Sequence, residues 1–89
     1  MPIISIFLGI IIRINFRDHP PPHLHAEYQG FEALFAIQTG ERIAGRLPRR
    51  IERLVLEWMM QHRMELMENW ALARDKMPTF KIAGLDQDD

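Results

Sequence analysis

Arg17-Asp18-His19-Pro20-Pro21-Pro22-His23-Leu24-His25 cannot be helical. Each proline fixes φ and lacks an N–H donor, and each pushes the residue before it towards extended geometry. The run is therefore a stiff, polyproline-like bridge with imidazoles at both ends. An ordinary connection uses glycine and asparagine. This one holds three of the chain's four histidines within seven positions, a side-chain type that changes charge near neutral pH.

Outward from the bridge the pattern is β on both sides. Upstream, Ile3 to Leu8 and Ile10 to Phe16 are β-branched and apolar, and Leu8-Gly9 supplies a tight turn between them. Ile10, Ile12, Ile14 and Phe16 alternate with Arg13, Asn15 and Arg17. Downstream, Leu24, Ala26 and Tyr28 alternate with His23, His25 and Glu27, giving a third strand with one polar face. Gln29-Gly30 turns into a fourth strand, Phe31–Ile37, and Thr39-Gly40 into a short fifth, Arg42–Leu47. Consecutive strands usually pair as antiparallel neighbours, so the expectation is a meander. Its polar face gathers Arg13, Asn15, Arg17, His23, His25 and Glu27, a denser polar patch than solubility requires.

From Pro48 to about Lys76 helix formers dominate, and neither glycine nor a further proline intervenes. Ile51, Leu54, Val55, Trp58, His62, Leu66, Asn69, Trp70 and Ala73 repeat at three- and four-residue steps, the stripe of an amphipathic helix. One helix of that length would be about 42 Å long, whereas a globule of this chain length is only about 30 Å across. Leu56, Met60, Met64, Met67 and Ala71 form a second apolar stripe nearly opposite the first, and unbranched methionine suits an adaptable contact surface. Leu56, Met60, Met64 and Met67 are accordingly expected to be an interaction surface. The segment Pro78–Leu85, a partner chain, or both together would cover the distal half. His62 and Asn69 lie within the main stripe and, with Asp18, read as structural polar groups bonded to a loop, the proline bridge being the natural one.

At 89 residues, 47% apolar and 26% charged, the chain has the composition of one small globular domain. Residues 1–85 are expected to form it, with residues 86–89 as a disordered acidic tail. Without cysteine there is neither a disulfide framework nor thiolate chemistry. The apolar opening is too short to span a bilayer and lacks the flanks of a signal peptide, which leaves a cytoplasmic protein with no membrane association as the expectation. Net charge is −1, so no global field draws nucleic acid. Locally, Arg42, Arg46, Arg49, Arg50 and Arg53 fall within twelve residues, forming a candidate anion- or nucleic-acid-binding cluster. Arg49 and Arg50 oppose the helix dipole. An anion at the first-turn N–H groups explains them, and so does pairing with Glu41 or Glu52.

The histidines admit three readings. The plainest is a rigid turn, in which Asp18 and the imidazoles bond backbone groups that the prolines leave unpaired. The second is a general acid/base pair acting on a phosphodiester, with His19, His23 or His25 moving protons and Arg13 and Arg17 holding the phosphate. The third is a metal site of His23 and His25 closed by His19, Asp18 or Glu27. Two flexible imidazoles and a loop residue make a weak site unless outer bonds fix them, so no metal and no cofactor are expected beyond adventitious binding.

Four segments together resemble the bacterial domain of unknown function 4160 family. They are the Asp-His-x-Pro-Pro-His-x-His run, the preceding Ile-Ile-Ile-Arg-Ile-x-Phe strand, Leu47-Pro48, and the His62…Glu65-Leu66…Asn69-Trp70 segment. The resemblance extends from Met1 to about Ile82, and Pro20 occupies a position that varies in the pattern. It implies a small prokaryotic protein, often encoded beside another small uncharacterised protein as in toxin–antitoxin pairs, with no established activity or catalytic residue. The expected fold is α+β, an antiparallel meander of four to five strands packed on one long C-terminal α-helix. The expected role is a regulatory interaction module, a homodimer or the partner of a small protein encoded nearby, with nucleic-acid contact as a secondary expectation. A histidine-dependent, ribonuclease-like toxin is the alternative.

Overall fold

The computed structural model of the chain describes residues 2–87. Its first hairpin pairs β1 (Ile3–Phe7) with β2 (Ile10–Arg13). The connecting Leu8 and Gly9 both have positive φ, 52° and 79°, the backbone of a two-residue turn whose twist matches that of the strands. The same device joins β3 (His23–Tyr28) to β4 (Phe31–Ala36) through Gln29 and Gly30, at φ 45° and 87°. After the Thr39-Gly40 turn, β5 (Arg42–Arg46) completes an antiparallel sheet in the order β1-β2-β3-β4-β5. The expected meander is therefore present, with five strands.

The second strand is shorter than its alternation suggested. It stops at Arg13 rather than Phe16, although Ile14 stays buried and its N–H donates to the Pro2 carbonyl at 3.1 Å. Arg17 takes a positive φ of 51°, which turns the chain off the sheet and leaves Phe16 44% exposed.

One face of the sheet carries the core. Ile4, Phe7, Ile10, Ile12, Leu24, Ala26, Ala33 and Phe35 are buried together with Ile51, Val55, Trp58, Leu66, Trp70 and Ala73 of the helical segment. Phe7 and Trp58 meet ring to ring at 5.2 Å. Removing this apolar surface from water is the main drive for the fold.

The single long helix is corrected to two, α1 (Arg49–Gln61) and α2 (Arg63–Arg74). The break falls at His62, whose φ of −127° and ψ of 24° lie outside helical geometry. Its imidazole Nδ1 lies 2.6 Å from Glu65 Oε1 and its ring 5.4 Å from Trp58. His62 and Glu65 thus occupy the N-cap and N3 positions of α2 and pair with each other, while the His62 side chain bonds none of the first-turn N–H groups. The physical reason is length. The molecule measures 33 × 30 × 22 Å, and a straight rod of both helices would carry its distal apolar face past the sheet.

The C-terminal segment folds back over this helical layer. Trp58 Nε1–H donates to the Ala83 carbonyl at 2.9 Å, and Ser5 Oγ–H to the Ile82 carbonyl at 2.7 Å. Gly84 lies so close to Phe7 that a Cβ there would come within 2.3 Å of the Phe7 Cβ. Of the expected acidic tail, Asp86 accepts from the Leu8 N–H at 3.4 Å, while Asp88 and Asp89 lie outside the described residues. Among the described residues no helix is long and apolar enough to cross a membrane.

Candidate functional site

Strand parity places His23 and His25 on one face of β3, with Leu24 and Ala26 buried in the core on the other. An imidazole pair on an outer sheet face would ordinarily be solvated. Here the proline bridge folds against it, leaving His23 6% and His25 8% exposed. The bridge is anchored at both ends: the Arg17 N–H donates to the Ala73 carbonyl of α2 at 3.3 Å, and the Ile37 N–H to the Pro22 carbonyl at 2.9 Å. The Pro20–Pro21 peptide bond is cis.

Asp18 is the centre of the arrangement. Its Oδ1 accepts the His19 N–H at 2.9 Å, and its Oδ2 lies 3.0 Å from His23 Nε2 and 3.3 Å from His25 Nε2. His23 Nδ1–H donates to the Pro21 carbonyl at 2.8 Å. The two imidazole rings lie 5.3 Å apart, and Trp70 of α2 lies 5.2 Å from His23. Asn15 Nδ2 approaches His25 Nε2 at 3.2 Å. Burial by itself would raise the Asp18 carboxyl. The His19 N–H and His25, together with the fields of His23 and His25, outweigh it and hold that carboxyl below its ordinary value.

Beside this cluster lies a charged group on the same face. The strand registers place Arg13 opposite His25 and Glu27 opposite Glu32. The Arg13 guanidinium pairs with Glu27 and, at 2.6 Å, with Glu32 Oε2. Glu32 Oε2 also lies 3.4 Å from His25 Nδ1. Burial would raise the Glu32 carboxyl, but the bond and charge of Arg13, joined by His25, bring it below its ordinary value.

Of the sequence candidates, Arg13, Asn15, Asp18, His23, His25 and Glu27 therefore come together. His19 contributes its backbone N–H and is exposed, as is Arg17. His62 and Asn69 belong elsewhere and do not serve the proline bridge. His62 pairs with Glu65 at the start of α2, and Asn69 bonds Phe80 of the C-terminal segment. Glu32, Trp70 and the Pro21 carbonyl escaped sequence reading. Glu32 had a usable signal, because a two-residue turn at Gln29-Gly30 sets Glu27 against it. Trp70 had none, since its approach to His23 depends on the helix break. The converging imidazoles do not straddle an open cleft. Both Nε2 atoms face one carboxylate oxygen, and His23 Nδ1 is already bonded, which is a poor layout for paired proton transfer to an external phosphate.

The arginines form a separate feature. Arg42, Arg49 and Arg53 line a cleft of about 430 Å³ with Leu47, Glu52 and Leu56. Arg42 pairs with Glu52 at 3.0 Å, Arg46 lies 5.7 Å above the Phe31 ring, and Arg50 is exposed. A second cleft of about 330 Å³ is lined by Ile37, Thr39, Gly40, Leu56, Met59, Met60 and Arg63. Met60 and Met64 are 74% and 87% exposed, whereas Leu56 and Met67 pack partly against the core.

A family model described as a domain of unknown function (DUF4160) matches residues 9–71, more than half of the chain. The match takes in β2, the proline bridge, β3 to β5, α1 and most of α2, and leaves β1 outside. No curated protein and no solved structure matches.

Proposed function

The chain belongs to the DUF4160 family, a domain of unknown function, and on that premise we propose that it is the interaction module of a small two-protein regulatory system of the toxin–antitoxin type. One observation carries the proposal: the basic cleft and the apolar cleft share Leu56 as a wall. Together they make one amphipathic groove between α1 and the β4–β5 connection, with Arg42, Arg49 and Arg53 at one end and Met59 and Met60, edged by Arg63, at the other. The occupant that fits is an amphipathic segment of a small partner protein with acidic residues followed by large apolar ones. Charge complementarity orients such a segment and speeds its docking, and the methionines adapt to its side chains. The one pair inside the groove, Arg42 with Glu52, is solvent-exposed and worth under about 1 kcal/mol, so an incoming carboxylate displaces Glu52 at little cost. Strand addition at the β5 edge is the weaker mode, because two arginines and the irregular pairing at Leu34 and Phe35 blunt that edge.

The test is co-expression with the small protein encoded beside it, followed by calorimetry of the purified pair and light scattering of the chain alone. Expected is a defined complex weakened about tenfold or more by Arg49→Glu with Arg53→Glu, and separately by Leu56→Asp. A strict monomer that binds no partner sinks the reading. Self-association through the same groove, or RNA bound or cleaved in place of protein, replaces it with a homodimer or a nucleic-acid function.

A further inference from the structure

His23 Nδ1 lies 2.8 Å from the Pro21 carbonyl oxygen. A carbonyl only accepts, so Nδ1 carries the proton and the neutral ring must present a lone pair at Nε2. That lone pair points at a carboxylate oxygen 3.0 Å away, which also only accepts. His25 repeats the situation, its Nε2 3.3 Å from the same oxygen; the Asn15 amide nitrogen, 3.2 Å from that Nε2, competes for its single lone pair and has to turn away when a cation takes it. Three electron-pair donors thus converge on one point, all within 4.8 Å of one another. Something positive has to lie between them, either protons on the imidazoles or a cation.

We propose that Asp18 Oδ2, His23 Nε2 and His25 Nε2 form a binding site for one divalent ion of the zinc class. The chemistry is that of two imidazoles and a carboxylate with a further position open to water. Donors in a tetrahedral zinc shell lie about 3.3 Å apart, from metal–ligand bonds of about 2.0–2.2 Å, and the two Asp18 separations are already close to that spacing. Of the outer bonds that two bare imidazoles lack, the one to His23 is present and the one to His25 is within reach. A backbone carbonyl orients His23, and the Glu32 carboxylate faces His25 Nδ1 at 3.4 Å, close enough to tighten on a charged ligand. Trp70 packs on the His23 ring, their centroids 5.2 Å apart, and the amide oxygen of Asn15 is a buried acceptor with no protein partner, available to a metal-bound water. Entry is from the side of Asp18, whose side chain is 21% exposed.

The experiment uses the full chain, stripped with a chelator and titrated with Zn²⁺ against a fluorescent competitor at neutral pH. Expected is one ion per chain at sub-micromolar affinity. Binding should fall to the background of surface sites in Asp18→Ala and in His25→Ala, and weaken about 10- to 100-fold in Glu32→Gln. Should a ligand variant fail to fold, Trp58→Phe carries the decision, since it keeps every ligand and removes the other indole: Co²⁺ at one equivalent must quench the Trp70 fluorescence. Weak binding, binding that survives Asp18→Ala, or no quenching overturns the proposal and leaves the cluster as protonated imidazoles paired with a carboxylate. The readout is independent of the partner-binding groove, so failure here leaves the proposed function standing, and the reverse holds too.

Discussion

Asn69 and Phe80 exchange two hydrogen bonds: Asn69 Nδ2–H donates to the Phe80 carbonyl and the Phe80 N–H donates to Asn69 Oδ1, each at 2.9 Å. A side-chain amide on α2 thereby reproduces the pairing of a strand neighbour and clamps the C-terminal segment over the helices. Asn69 is fully buried, so truncation leaves a cavity and deprives both Phe80 backbone groups of their partner. Asn69→Ala is expected to cost roughly 2–4 kcal/mol. Urea unfolding measures it, and a loss under about 1 kcal/mol would mean the segment is held mainly by Ile82 and Trp58.

His62 is the contrasting case. Its bond to Glu65 is short, but the carboxylate is 47% exposed, so solvent screens the pair. His62→Ala should cost only about 0.5–1 kcal/mol, and the two helices should persist because length, not the imidazole, imposes the break. A variant with helix content raised by several residues, read by circular dichroism, would show instead that His62 itself interrupts one continuous helix.

Gly45 has a φ of 72°, and a Cβ there would lie 2.2 Å from the Glu32 carbonyl oxygen and 3.0 Å from the Ala33 Cα. Both obstacles are backbone and cannot swing aside. Gly45→Ala is expected to lose roughly 2–4 kcal/mol, combining the left-handed cost with overpacking. Gly30→Ala meets nothing within 4 Å and should lose only the conformational part, about 1–2 kcal/mol. Equal losses in denaturant titrations of the two variants would refute the steric account.

Met64 is the most exposed of the large apolar residues in the described chain. Met64→Lys should leave the unfolding midpoint within about 0.5 kcal/mol of the parent. Met60→Lys, inside the groove, should be equally neutral for the isolated chain yet weaken the partner complex. A stability loss above 1 kcal/mol at either position would place the methionine in the core and remove it from the contact surface.

Much of this arrangement was legible residue by residue. The dipeptides Leu8-Gly9 and Gln29-Gly30 name two-residue hairpin turns, because a positive φ at both positions is a local property that glycine permits and its neighbour tolerates. With the turns come the registers of β1 with β2 and of β3 with β4, and with the latter the meeting of Glu27 and Glu32. The proline run likewise excludes helix by covalent geometry alone. Tertiary structure decided what no local property encodes. Ile51 to Ala73 keeps an unbroken three- and four-residue spacing across His62, so periodicity reads one helix. Only the extent of the sheet that must be covered requires two. The same break brings Trp70 to His23, and the path of residues 80–85 supplies the partner of Asn69 in place of the proline bridge. Whether His23 and His25 share Asp18 also lay beyond the sequence. Strand parity puts both imidazoles on one face, but it is the anchoring of the bridge to Ala73 and Ile37, residues far off in the chain, that folds Asp18 back between them.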